Sequence, residues 1–193
     1  MKLIKVFWIV GLASCLNVST AVAQQVETTV EEIDPVYLFN EMCYTQVPNV
    51  DQIQAMATRY AWDPMGENDL KQFTPLQNPD LVKGWDIALD QRIYRLGVVQ
   101  SAPAAAFVES FPTFENGKTT SCSLLLDGQD DAAVILQRMN TLMRKEPATS
   151  DVPEGDLLAT TWAGGIEDVK VFVVLKTDVA GSANYINVTL ITR

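Results

Sequence analysis

The chain has 193 residues, 24 Asp and Glu against 14 Lys and Arg, and a formal net charge of −10. That balance makes nucleic acid and anionic membrane surfaces poor partners, because affinity for either comes from Lys and Arg meeting phosphates. Histidine is absent, which rules out Ser-His-Asp and Cys-His sites and removes the commonest metal ligand.

The N-terminus carries Lys2 and Lys5, an apolar run from Val6 to Leu16, a polar stretch from Asn17 to Thr20, and then Ala21-Val22-Ala23. This order predicts a secretory signal peptide over 1–23. The run is far short of the roughly 20 residues a permanent membrane helix needs, so no transmembrane segment is expected in the mature chain. Leu12-Ala13-Ser14-Cys15 offers the alternative of a lipoprotein anchored at Cys15, but it shortens the apolar run to Val6–Gly11, below the roughly 7–15 residues of a signal core. Export to the periplasm or medium is the expectation. Cleavage after Ala23 removes Lys2 and Lys5, making the chain two charges more negative, and leaves about 170 residues, the size of one domain.

Residues 24–33 are polar with no sustained period and read as a mobile leader; the single domain is expected over 34–193. Asp34 is an N-cap and Pro35 a first helical residue, with Val36, Phe39 and Cys43 on one face before Pro48 ends the helix. Asn49 and Gln52 form a variant capping box for a second helix whose stripe is Ile53, Met56, Ala57 and Tyr60. Residues 61–81 are dense in turn formers and predict a long loop, in which Asp63, Glu67 and Asp69 do not follow a calcium-loop spacing.

Trp85, Ile87 and Leu89 alternate, Asp90-Gln91 turns, and Tyr94, Leu96 and Val98 alternate again, which predicts a hairpin. Prolines in 101–114 prevent a long helix, and Phe107, Phe111 and Phe114 there either pack on the sheet or form an exposed patch that recruits a partner. Asn116-Gly117 signals a hairpin turn. A strand follows over 119–126, with Thr120, Cys122, Leu124 and Leu126 on one face, and Asp127-Gly128 is expected to end it. Next comes a helix with Asp130 and Asp131 at its start, a stripe of Ala132, Ile135, Leu136, Met139, Leu142 and Met143, and Arg144 and Lys145 at its end.

Residues 149–155 read as a polar loop. Leu158, Thr160 and Trp162 then share a strand face, and Gly164-Gly165 is expected to break that strand. Val169, Val171, Val173 and Leu175 alternate in the next strand, and Ile186, Val188 and Leu190 in the last. Short connections force antiparallel pairing. The fold class expected is α+β, an antiparallel sheet of about six strands in the order α-α-β-β-β-α-β-β-β with helices on one face; a sheet split in two around the central helix is the alternative.

Phe39 and Cys43 before Pro48, Trp85 in the first strand, Cys122 before Asp127-Gly128, and Trp162 after the helix resemble the pattern of small exported bacterial proteins without an assigned activity. The resemblance implies an envelope location and transfers no catalytic residue. Once the signal is removed Cys43 and Cys122 remain, and an even pair bound for an oxidising compartment predicts one disulfide.

No nucleophile elbow, phosphate loop, dinucleotide fingerprint, zinc pattern or Cys-x-x-Cys occurs, so no catalytic residue, metal or cofactor is assigned. Carboxylate chemistry of the glycosidase type survives, with Asp63 beside Trp62 and Asp86 beside Trp85 as candidates. On a strand Trp85 and Asp86 face opposite sides, which places Trp85 in the core and Asp86 in solvent. The functional expectation is a noncatalytic envelope protein that binds a partner protein or a small ligand, with a carboxylate hydrolase of envelope glycans as the alternative.

Overall fold

The computed structural model describes residues 34–74, 79–89 and 92–193. The expected signal segment, the leader and the Asp90-Gln91 turn lie outside them. The described residues contain five α-helices: α1 (Pro35–Phe39), α2 (Val50–Arg59), α3 (Glu67–Leu70), α4 (Ala105–Ser110) and α5 (Ala132–Met143). The strands are β1 (Asp63–Pro64), β2 (Leu81–Leu89), β3 (Arg92–Ser101), β4 (Lys118–Asp131), β5 (Thr149–Glu154), β6 (Leu157–Ile166), β7 (Val169–Asp178) and β8 (Ser182–Thr192). They form one sheet in the order β1-β2-β3-β4-β8-β7-β6-β5, antiparallel at every pairing.

Two meanders, β2-β3-β4 and β5-β6-β7-β8, meet where β4 pairs with β8, Cys122 opposite Val188 and Leu124 opposite Ile186. The sheet is therefore continuous across the point where α5 intervenes in the chain, and it does not split in two. It has eight strands, not about six. The two extra strands are the edges β1 and β5, which carry no apolar alternation because an edge strand borders solvent on one side. Every residue of β5 is exposed, so most of 149–155, expected as loop, is an exposed strand paired with β6, and only Gly155 belongs to the turn.

Alternation places Trp85, Ile87, Tyr94, Leu96, Val98, Cys122, Leu124, Leu126, Trp162, Val173, Leu175, Ile186 and Val188 on one face, all buried. The helices α1, α2 and α5 cover that face. Asp34 caps α1, its Oδ1 accepting from Val36 N at 2.9 Å, and Pro35 opens it. A π-helical turn, Asn40–Tyr44, extends α1 and keeps Phe39 and Cys43 fully buried. Asn49 caps α2 through Gln52 N at 3.1 Å. In α2 the buried positions are Val50, Ile53 and Ala57, whereas Tyr60 points to solvent.

Asp127-Gly128 does not end its strand. Both residues are left-handed, at φ 52° and 68°, and they make a bulge after which Asp130 and Asp131 pair again with Ala183 and Ser182. The extra strand length delivers Asp131 to the start of α5, where its Oδ1 accepts from Ala133 N and Val134 N at 2.8 and 3.2 Å. Arg92 holds the neighbouring Asp130 bidentately at 2.7 and 3.0 Å. From α5, Ile135 and Met139 are buried, and Asn140 Oδ1 accepts from Trp162 Nε1 at 3.1 Å, satisfying a buried indole.

Gly164-Gly165 does not break β6 either, since both pair with β7 up to Ile166 opposite Val169. Gly165 sits at φ 128°, and a Cβ there would lie 2.2 Å from Val169 O, so glycine is what lets the hairpin close so tightly. Asn116-Gly117 likewise joins no two-residue hairpin. Gly117 N donates to Phe114 O at 2.9 Å and closes a 3-10 turn before β4.

Cys43 and Cys122 form a disulfide with Cα atoms 5.3 Å apart, tying the helical layer to the central strand across 79 positions. Replacing both cysteines by alanine is expected to cost about 3 kcal/mol, within the roughly 4.5 kcal/mol that chain entropy allows for such a loop. Denaturant titration and melting measure it, and the melting temperature should fall by about 10 °C; an unchanged melt on reduction refutes a structural role for the bond.

Candidate functional site

The edge strand β1 covers only part of β2. Asp63 pairs with Asp86 and Pro64 with Trp85, and Met65 N donates to Gly84 O at 2.9 Å. Beyond Gly84 no strand among the described residues flanks β2, and a cleft of about 490 Å³ opens there. One wall is the C-terminal half of α2, with Ala57 and Thr58, and the other is Met65 and Leu70 from the segment around α3. Trp62 and Trp85, 6.4 Å apart and edge to face, both line it. Gly84 makes the close approach of the α3 segment feasible, because a Cβ would lie 2.8 Å from Leu70 Cδ2 and 2.9 Å from Met65 Sδ.

The stretch 61–81 is thus not plain loop: it carries β1, α3 and a 3-10 turn, Lys71–Phe73. Sequence reasoning missed the cleft because three separate segments build it and none has an apolar period. The one signal was Trp62, a large aromatic in a polar stretch, which such stretches seldom carry without packing it somewhere.

Lys83, beyond the end of β1, lines the cleft and donates to Gln54 Oε1 of α2. The remaining lining is uncharged. Asp63 on β1 and Glu67 and Asp69 on α3 flank the cleft without lining it.

The sheet's second face holds the three phenylalanines of the 101–114 insert, so α4 does not share the face of α1, α2 and α5. Phe107 lies 4.9 Å from Phe111, 5.5 Å from Phe114 and 6.1 Å from Phe172 of β7, whose side chain alternates with buried Val173. Phe114 is buried, Phe107 half-buried, and Phe111 40% exposed with Lys170 Nζ 5.5 Å from its ring. The structure therefore gathers all three into one cluster that meets Phe172 through Phe107, and leaves Phe111 as the solvent-facing member. Between this cluster and β3 the face is polar: Ser121 and Thr189 hydroxyls are 2.8 Å apart, Thr189 donates to Asn187 Oδ1 at 2.9 Å, and Asn187 Nδ2 donates to Ser123 Oγ at 2.9 Å.

Asp63 and Asp86, read as carboxylate candidates, do meet across β1 and β2. The aromatic side chains do not join them, since Trp85 occupies the opposite face. Arg95 instead engages Asp86 Oδ1 at 3.6 Å and Asp127 Oδ1 at 3.7 Å. Further along the same face Lys176 contacts Glu154. Burial alone lowers the affinity of Lys176 for its proton, but the Glu154 hydrogen bond and charge, with Tyr185, outweigh it and raise its pKa above 10.5. That contribution is complete below pH 10.5 and is lost as pH rises through the raised value.

No family model, curated protein or solved structure matches this chain. No helix among the described residues is long and apolar enough to cross a membrane.

Phe114→Ser is expected to cost about 3 kcal/mol, as buried aromatic truncations do, and Phe111→Ser under about 1 kcal/mol. Urea denaturation of the two variants tests the split; equal losses mean that Phe111 is as much a part of the packed cluster as Phe114.

Proposed function

We propose that this chain is exported, begins at Gln24 after processing, and works in the bacterial envelope as a noncatalytic protein that holds a small ligand in the cleft between α2 and β2. The observation that carries the reading is the cleft itself: concave, walled by Trp62, Trp85, Met65 and Leu70, and of the size ligand sites commonly have. The insert 101–114 supports partner docking less well, because its phenylalanines bury most of their surface on one another and on Phe172. The buried disulfide fits an oxidising compartment.

A second reading, a carboxylate hydrolase of envelope glycans, draws on the cross-strand pairing of Asp63 with Asp86. Against it stand the Arg95 pairing of Asp86 and the position of Trp85 on the other side of the strand, where it offers no sugar platform beside the acids.

A ligand that saturates the cleft one hundredfold above its Kd adds about 2.7 kcal/mol of stability and should raise the melting temperature by several degrees. Screening envelope metabolites by melting, against wild type and Thr58→Trp, tests this: the variant fills the cleft from the exposed surface of α2 and should abolish every shift. Incubation with purified peptidoglycan should release no soluble fragment; release that Asp63→Asn abolishes would establish the hydrolase instead. Intact mass of the exported protein should match a chain starting at Gln24, and an acylated Cys15 N-terminus would replace soluble export by lipid anchoring.

A further inference from the structure

The cleft has a chemical polarity that narrows what it takes. Its lining is mostly apolar and aromatic, with Trp62, Trp85, Met65, Leu70 and Ala57, and holds one ionised group, the Lys83 ammonium, two residues beyond the point where β1 ends opposite Trp85. That ammonium has an amide oxygen of Gln54 as its neighbour and makes no ion pair with a described carboxylate. Arg92, Arg95, Arg138, Lys176 and Arg193 engage carboxylates, whereas Lys83 belongs with the cations that do not, and it alone of these lines the cleft. A lysine without a carboxylate that is the one ionised group lining a largely apolar cleft leaves its charge available to a ligand. The Gln54 amide fixes the ammonium toward the space between α2 and β2 and can itself turn its NH₂ group to an anion.

The acids nearby do not cancel this. Asp63 is paired across the strand with Asp86, on the face where Arg95 lies, and Glu67 and Asp69 are exposed on α3. Exposed charges are screened beyond about 8 Å at physiological salt, whereas a direct contact in the cleft is not. An anionic head at Lys83 is therefore held by a short, charge-assisted contact, while its apolar body removes the half-exposed surfaces of Trp62, Met65 and Leu70 from water.

Building on the cleft reading above, we infer that the ligand is an apolar monoanion, a carboxylate or sulfonate on a hydrocarbon body, whose head meets Lys83 and Gln54 and whose body lies against Trp62 and Trp85. Hydrocarbon chains and fused rings present the same chemistry to these walls. Neutral hydrocarbons lose the head contact, and dianions leave one charge unmatched beside the flanking acids.

Two fluorescent probes sharing one ring system test the inference: 8-anilinonaphthalene-1-sulfonate, with an anionic head, and N-phenyl-1-naphthylamine, without one. Titrated into the purified disulfide-bonded protein, the sulfonate should bind about tenfold more tightly than the neutral probe, the worth of one charge-assisted contact. Lys83→Met should remove that tenfold advantage and leave the neutral probe unchanged, and Lys83→Arg should keep it. Thr58→Trp should abolish both, and Phe111→Ser neither. Dodecanoate and 2-naphthoate serve as competitors that tell chain from ring; displacement by at least one is expected, and by neither overturns the inference. If Lys83→Met leaves sulfonate binding intact, or weakens both probes equally, while Thr58→Trp abolishes both, then the cleft binds ligands but does not select anions, and only this inference falls. If neither probe binds, or Thr58→Trp changes nothing, the cleft reading falls with it.

Discussion

The pairing of β4 with β8 is the constraint on which the other parts of the structure depend. Each meander on its own is a set of local antiparallel pairings, and an isolated three- or four-stranded meander has two free edges. Joining β4 to β8 removes one edge from each and makes a single surface broad enough for α1, α2 and α5 to cover. The pairing is far apart in sequence, so its loop-closure entropy must be met before its contacts form. The Cys43–Cys122 disulfide lies on the same strand, with Cys122 opposite Val188 of β8, and fastens the helical layer directly over this junction. Core, covalent tie and sheet continuity thus converge on one strand.

The two faces of the sheet are managed differently, and that difference places the site. Helices dry one face completely, burying Leu96, Cys122, Leu124, Ile186 and Val188 with no exposed surface. The other face is only partly covered, by the phenylalanine cluster on Phe172 and by Phe73 over Gly97, and its centre is a chain of hydroxyl and amide hydrogen bonds. A ligand site on the dry face would need a cavity in a packed core, and one on the polar centre would need groups that are already satisfied. What remains is an edge. At β2 the short β1 stops after two residues, and the helix above and the α3 segment below stand apart, which leaves half-buried Trp62 at the surface of the cleft with Trp85 buried beside it.

Electrostatics follow the same division of labour. The basic residues are few, and several of them hold an acid: Arg92 the strand end that feeds α5, Arg95 two carboxylates of the second face, Lys176 the polar edge strand. Such pairs at half-exposed positions stabilise modestly, by up to about 1 kcal/mol each, and their main effect is to keep like charges from crowding in an acidic chain. Lys83 holds no described acid and is the one ionised group that lines the cleft.

Local signals in the sequence determined much of this arrangement. Period-two alternation placed the core faces of β2, β3, β4, β7 and β8, Asp34, Pro35 and Asn49 set the helix starts, and short connections required antiparallel pairing. Two cysteines on core faces met as a disulfide because burial brought both to the same interior. Tertiary structure alone decided what lacks a local pattern. The edge strands β1 and β5 are strands only because a neighbour offers them hydrogen bonds. Asp127-Gly128 and Gly164-Gly165 look like stops in sequence, yet the partner strands continue past them and turn the first into a bulge and the second into a tight hairpin. The cleft belongs to the same class, since α2, the α3 segment and β2 are distant in sequence and share no motif; only the packing that sets Trp62 against Trp85, and Lys83 beside Gln54, makes them one site.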